Sequence, residues 1–363
     1  MKAKPGIVFL SLVIAQLFCG KAFAQVLYVT DRGANKVIRG IPGCSAVDDL
    51  VSVDLDSPRP TALDVANGKI YWADLGSRKI QRANLDGTGP VEDLITTGLL
   101  FPIEIALDLQ LDMIYWTEAA LHKIQRANQE IPPGENAANR TDIEDVVDTG
   151  LSCPHGIALS SVDDMLYWSD PCAGKIQRTS RSNPIVIEDI ASVDTGFAVS
   201  VALDSEAGKV YWADNSGAKI KRAPADGSGP VEDLVTGSLS SPESIAIDPG
   251  SRKIYWVDEG TRFVQRAGLE IPLGENASNR TDIELVLSTG LVLPAGIALD
   301  PPPPILYGDM NGDGVVDGGD IQGFLEAVLG TSGRITSPVA PRERKPTAQE
   351  DSPRFSYCDS INP

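Results

Sequence analysis

Between residues 26 and 300, apolar and polar positions fall into four short segments that recur in the same order six times. The first is an apolar run opened by proline, as in Pro102-Ile103-Glu104-Ile105-Ala106-Leu107-Asp108. Its copies run from Pro154 to Ser160, Ala198 to Asp204, Pro242 to Asp248 and Pro294 to Asp300, with a disturbed one from Pro58 to Asp64. The second holds an aromatic pair and an acid: Tyr71-Trp72-Ala73-Asp74, Tyr115-Trp116-Thr117-Glu118, Tyr167-Trp168-Ser169-Asp170, Tyr211-Trp212-Ala213-Asp214, Tyr255-Trp256-Val257-Asp258, and Tyr28-Val29-Thr30-Asp31. The third ends in arginine eight residues beyond that acid, at Arg39, Arg82, Arg126, Arg178, Arg222 and Arg266. The fourth sets acids between apolar residues, as in Val91-Glu92-Asp93-Leu94-Ile95. Turn residues such as Asp86-Gly87-Thr88-Gly89-Pro90 separate the segments. Short apolar runs bounded in this way predict strands.

The register tyrosines stand 43, 44, 52, 44 and 44 residues apart, and all five tryptophans sit at this one position. A period near 44 residues with four strands in each predicts the blades of a β-propeller. The expected fold is all-β, a six-bladed propeller of four-stranded blades. The chain opens on a second-type segment (Tyr28) and closes on a first-type one (Pro294 to Asp300). The last strand is therefore expected to enter the first blade and lock the ring, which removes free sheet edges. Residues 69 to 167 align with 209 to 307 at a constant offset of 140, both with the same expansion (Glu130 to Asn136, Glu270 to Asn276). The ring reads as a duplicated three-blade unit with the expanded loops on opposite blades, three and six.

The repeat pattern resembles the low-density-lipoprotein-receptor class B repeat, the YWTD six-bladed β-propeller, over residues 26 to 300. That resemblance implies a disk that contacts other molecules. Departures are confined to single copies: Val29, Glu118, Ser160 and Ala198.

The remaining sequence adds flanking elements. Lys2 and Lys4 before the apolar run Ile7 to Phe18, then Ala22-Phe23-Ala24, predict a signal peptide over 1–24 and an exported, extracellular protein. A Pro-rich linker is expected at 301–306, a calcium-binding module at 307–330 and a disordered tail at 331–363. Within the module, Asp309, Asn311, Asp313, Asp317 and Asp320 offer side-chain oxygens at loop positions 1, 3, 5, 9 and 12, and Val315 offers a carbonyl. Gly314 permits the sharp turn at position 6. A dense oxygen set on a tight loop suits Ca²⁺, the expected cofactor, and a short helix should follow from Ile321 to Leu329. This EF-hand-like segment resembles one type I dockerin repeat, which implies a bacterial source and a cohesin domain as partner. Only one repeat is present and positions 10 and 11 are Gly318 and Gly319, so cohesin docking stays open.

A net charge of -19 argues against nucleic acid and anionic membrane surfaces as partners. No stretch after the leader is long and apolar enough to span a bilayer, and a monomer is expected. Four cysteines follow the leader; Cys153 precedes the first strand of its blade and Cys172 follows the second, so antiparallel pairing makes them disulfide candidates.

Candidate chemistry lies where the copies differ. The recurring Asp–Arg pairs (Asp74 with Arg82, Asp214 with Arg222) and the Tyr and Trp positions, such as Tyr71, Trp72, Tyr211 and Trp212, read as structural. The acid pairs of the fourth segment read as charges that discourage edge pairing. The two residues after each strand-opening position should face the channel mouth: Arg59/Pro60, Ile103/Glu104, His155/Gly156, Val199/Ser200, Glu243/Ser244 and Ala295/Gly296. Arg59, Glu104, His155 and Glu243 thus form a polar cluster, the candidate ligand-binding surface. The opposite face, with the expanded loops, is the alternative. The preferred function is a non-catalytic binding or scaffold protein with a protein or carbohydrate partner. The alternatives are a component of an extracellular polysaccharide-degrading assembly, or a propeller hydrolase or lyase. No nucleophile elbow or Ser–His–Asp signature is present to support catalysis.

Overall fold

The computed structural model describes residues 25–42, 47–160 and 162–300. The expected leader, linker, calcium loop and tail lie outside them.

The described residues form six four-stranded antiparallel sheets and no helix. Blade 2 shows the plan, from channel to rim: Pro58–Asp64, Lys69–Asp74, Lys79–Asn84 and Glu92–Ile95. Blades 3, 5 and 6 repeat it from Pro102–Asp108, Ala198–Asp204 and Pro242–Asp248. Blade 1 takes its innermost strand, Pro294–Asp300, from the far end of the chain, paired antiparallel with Val26–Asp31. Innermost strands of consecutive blades pack on one another, blade 6 on blade 1 included, so the ring is closed. In blade 4 the innermost strand is regular only over Ile157–Leu159, shorter than the run from Pro154 to Ser160 that its pattern predicts. Pro154 has no N–H to give, and at Gly156 a Cβ would lie 2.6 Å from the amide of Val201 on the next blade. Pairing continues irregularly, through His155 N–H to the Ser169 carbonyl (2.9 Å) and Ser169 N–H to the Gly156 carbonyl (3.0 Å).

The aromatic register is the cement between blades. All five tryptophans are fully buried. The tyrosine of one blade and the tryptophan of the next share a core cluster: Tyr28 with Trp72, Tyr71 with Trp116, Tyr115 with Trp168, Tyr167 with Trp212, and Tyr211 with Trp256. Tyr255 closes the circle against Leu27 and Val29 of blade 1, where valine stands in for the missing tryptophan. Each large ring thus removes apolar surface from water at a blade interface, the dominant favourable term in folding.

Two polar ladders run outward across blade 2. The register sets Tyr71 opposite Arg82 and Arg82 opposite Glu92, with Trp72 opposite Gln81 and Gln81 opposite Asp93. Trp72 Nε1 donates to Gln81 Oε1 (3.2 Å) and Gln81 Nε2 donates to Asp93 Oδ1 (2.7 Å), so the buried indole proton has a partner. Blades 4 and 6 repeat the Trp–Gln bond at 3.2 and 3.3 Å. In blade 5 Lys221 replaces the glutamine and pairs with Asp233 (2.8 Å) and Asp194 (3.0 Å), while Trp212 donates to the Thr195 carbonyl.

The recurring acid and arginine do not pair with each other, contrary to the pairing of Asp74 with Arg82 and Asp214 with Arg222 expected from sequence. The ladder puts Asp74 opposite Lys79 and Arg82 opposite Tyr71, at opposite ends of the hairpin. Asp74 accepts from the Asp56 amide (2.7 Å) and the Ser77 amide (3.0 Å), tying together two loops on the mouth face. Asp214 does the same for the amides of Phe197 (3.1 Å) and Gly217 (2.8 Å). Gly196 has φ +65, and a Cβ there would fall 2.0 Å from that carboxylate. Four of the six arginines instead reach sideways, while Arg126 and Arg266 stay on their own blades, the first bonding Glu144 and Tyr115 and the second Glu284 and Tyr255. Arg39, Arg178 and Arg222 donate to the carbonyls of Leu85, Ala225 and Leu269 on the next blade, and Arg82 bonds Glu92 on its own blade and Glu130 on the next. The acid pairs do more than blunt an edge, because they hold the outermost strand to the cations of the third.

Candidate functional site

The innermost strands enter the channel from one face, at Pro58, Pro102, Pro154, Ala198, Pro242 and Pro294, and the loops capped by the register acids surround that entrance. Two rings of side chains line it. At the first, Ile103, Val199 and Ala295 are buried and apolar, while Arg59, His155 and Glu243 supply the polar positions. At the second stand Pro60, Gly156, Ser200, Ser244 and Gly296, all small, with Glu104 as the exception. The space they leave is what Glu104 occupies: it crosses from blade 3 to blade 5, where Ser200 Oγ donates to Oε1 at 3.1 Å. The structure therefore brings together all four residues singled out in the sequence.

Arg59 is the hub of their electrostatics. It is 8% exposed, and the charges acting on it are Glu243, Arg32, Glu104 and Glu259. Its Nε has no hydrogen-bond partner, and among the described residues the guanidinium has no ion-pair partner. Burial pushes Arg59 below its usual value, opposed by those carboxylates. Burial also pushes Glu104 up to about 8, against the Ser200 hydrogen bond, the Ile157 amide and Arg59. His155 packs edge-on against Phe197, with centroids 5.7 Å apart and planes at 78°. Burial takes its imidazole down to about 4, with Arg59 assisting and Asp170 opposing. Glu243 is pushed up to about 7, first by burial and then by sharing a proton with Glu259. Unpartnered polar atoms converge here: Arg59 Nε, Glu104 Oε2 and His155 Nδ1. Buried polar groups are normally satisfied, so three of them at one end of the channel single this mouth out as the candidate site.

Three further residues complete the mouth. Arg32 pairs with Glu259 and lies 3.7 Å from Glu243, and Asn215 Nδ2 is 3.4 Å from Glu243 Oε1. All three follow a register acid directly, in blades 1, 6 and 5. The six copies of that position read Arg32, Leu75, Ala119, Pro171, Asn215 and Glu259, and this variation is the signal that would have found them. Phe101 (41% exposed) and Phe197 (39%) precede the innermost strands of blades 3 and 5 and put an apolar edge beside the polar cluster. Cys153 and Cys172 form a disulfide, Cα atoms 5.6 Å apart, that clips the loop leading to His155 onto the neighbouring hairpin turn.

The opposite face is organised differently. A cleft of about 540 Å³ lies there between blades 3 and 4, lined by Asp108, Asp164, Arg181 and neighbours. Its arginine is already engaged: Arg181 pairs with both Asp108 (2.5 Å) and Asp164 (3.2 Å). The expanded loops do not reach out as free arms either. Arg140 and Arg280, fully buried, donate to the carbonyls of Asn128 and Glu130, and of Gly268 and Glu270. The Thr96 and Thr236 amides of blades 2 and 5 bond the carbonyls of Ala137 and Ala277, so each loop straps its blade to the preceding one. The calcium-loop residues Asp309 to Asp320 fall outside the described residues, and among those described no cluster of three or more His, Cys, Asp or Glu could hold a metal.

This architecture is that of a six-bladed β-propeller. Residues 208–249, one repeat length, match the low-density lipoprotein receptor repeat class B. Among solved structures, a chain of a nidogen/laminin complex is 21% identical with a TM-score of 0.62, covering 76% of this chain and 98% of that one. Virginiamycin B lyase from Staphylococcus aureus is 16% identical (TM-score 0.52, 76% and 85% covered). A gluconolactonase from Xanthomonas campestris is 19% identical (TM-score 0.51, 64% and 79% covered). At such identities the likeness is one of fold. No protein of curated function matches the sequence.

Proposed function

We propose that the protein is a non-catalytic binding propeller whose partner is another protein, engaged at the channel mouth by Arg59, Glu104, His155 and Glu243. The convergence of three unpartnered buried polar atoms at one end of the channel carries this reading. The class B repeat and the fold shared with a chain of a nidogen/laminin complex support a protein partner. Export fits the leader pattern at 1–24, and the Cys153–Cys172 disulfide fits an oxidising compartment. A calcium-stabilised module at 309–320 follows from its oxygen spacing alone.

The test is a selection from a displayed random-peptide library, run on the wild type and on a variant with all four mouth residues replaced by alanine. Intrinsic tryptophan fluorescence verifies that the variant is folded. Peptides that bind the wild type and lose the variant support the mouth. A selected pool that binds both equally places recognition elsewhere.

A further inference from the structure

The mouth reading leaves open what kind of chemical group enters it, and the unpaired groups decide that. Arg59 offers donors from a buried guanidinium that no carboxylate of the described protein occupies. Glu104 lies within electrostatic reach of that guanidinium, and burial pushes its carboxyl up to about 8, so at pH 7 it is a neutral acid that does not supply Arg59 with a counter-charge. A fork of guanidinium N–H donors left without a counter-charge matches an acceptor with two oxygens. We propose, resting on the mouth as the binding site, that it receives a carboxylate, the side chain of an aspartate or glutamate presented by the partner.

The overall charge of -19 does not decide the matter, because the local balance differs. Facing Arg59 are Arg32, Glu243, Glu259, Glu104 and His155, with Asp170 behind the imidazole. Arg32 neutralises Glu259. A proton shared with Glu259 and burial keep Glu243 uncharged at mildly acidic pH, and burial keeps His155 and Glu104 neutral there. One uncompensated positive charge, Arg59, is left in a desolvated site. As pH rises past 8, Glu243 and Glu104 ionise and the site turns anionic, so a carboxylate should be held at pH 6 and expelled at pH 9.

The experiment follows the Arg59 Nε–H signal of the full chain by NMR at pH 6, titrating three probes. N-acetyl-aspartate amide carries a side-chain carboxylate, N-acetyl-asparagine amide its neutral isostere, and N-acetylalanine a chain-terminal carboxylate. The expected result is a saturable shift with the aspartate probe, at least about tenfold weaker with asparagine, as the loss of one charge-assisted hydrogen bond requires. Followed instead at the backbone amide of Phe197, which lies at the mouth against His155 and is present in every variant, the response to aspartate should vanish at pH 9 and in Arg59→Leu, and weaken in Arg59→Lys, which keeps the charge without the fork. A tighter response to N-acetylalanine would confirm the carboxylate and assign it to a chain end. Equal response to aspartate and asparagine, or saturation by no probe, overturns the carboxylate. Peptides that still need the mouth in the library selection would, in that event, leave the binding site itself standing.

Discussion

Replacing Glu104 by glutamine should raise stability at alkaline pH and leave it nearly unchanged at acidic pH. Glutamine keeps the shape and the acceptor for Ser200 Oγ, whose bond to Oε1 is 3.1 Å, but it cannot ionise. In the folded protein burial raises the Glu104 pKa from 4.5 to about 8. Between those values the native state holds a proton that the unfolded chain has released, so native stability falls as pH rises. The contribution is fully present below pH 4.5 and gone above pH 8. At about 1.4 kcal/mol per pH unit across that window, ionised Glu104 costs the wild type about 5 kcal/mol at pH 9. For a domain of this size that corresponds to a melting-temperature gap of roughly 10 °C. Scanning calorimetry of both proteins from pH 5 to pH 9 measures it. The melting temperatures should lie close together at pH 5 and separate progressively from there to pH 8, with the variant higher. Parallel curves would refute the claim that a buried, neutral carboxyl stands in the channel.

Trp72→Ala opens a cavity between blades 1 and 2 and should cost about 3–5 kcal/mol, read as a lower melting temperature. Reduction of Cys153–Cys172, which closes a 19-residue separation, should cost about 3 kcal/mol and loosen the loop before His155, seen as faster amide exchange over residues 151–156. Arg140→Leu removes the donors that hold the expanded loop to blade 3, so amide exchange should accelerate over residues 129–143 while blades 4 to 6 keep their protection. Calorimetric titration of the chelator-treated full chain should show one Ca²⁺ site, lost in Asp309→Ala; no heat in the wild type would rule the calcium loop out.

The fold was legible because each blade states the same solution. Tyrosine and tryptophan recur in register, every copy begins and ends with turn residues, and the unpaired first and last segments imply the locking strand. The Asp–Arg pairing was misread for a geometric reason. Eight residues bridge a hairpin, and the ladder places Asp74 at the turn and Arg82 near the far end, so their real partners are loop amides and the neighbouring blade. Half of the mouth was visible in the positions after the strand-opening residue, where Arg59, Glu104, His155 and Glu243 break the pattern. Arg32, Asn215 and Glu259 were missed because they follow the register acid, on hairpin turns that curve back over the entrance. The expanded loops looked like free surface, since nothing in their composition announces that Arg140 and Arg280 would bury their guanidinium groups against backbone carbonyls. The Asp108–Arg181–Asp164 cleft depends on three separate segments and could not be read from any one of them.

The central claim is that the repeated residues hold the disk together and the unlike residues at the channel mouth bind the partner. A crystal structure of the propeller with a library-selected peptide tests it most directly. The account predicts peptide density in the mouth, with an acidic side chain against Arg59 and Glu104 and the backbone passing Phe197. Peptide seated on the opposite face, with Arg59 still unpaired, would contradict it.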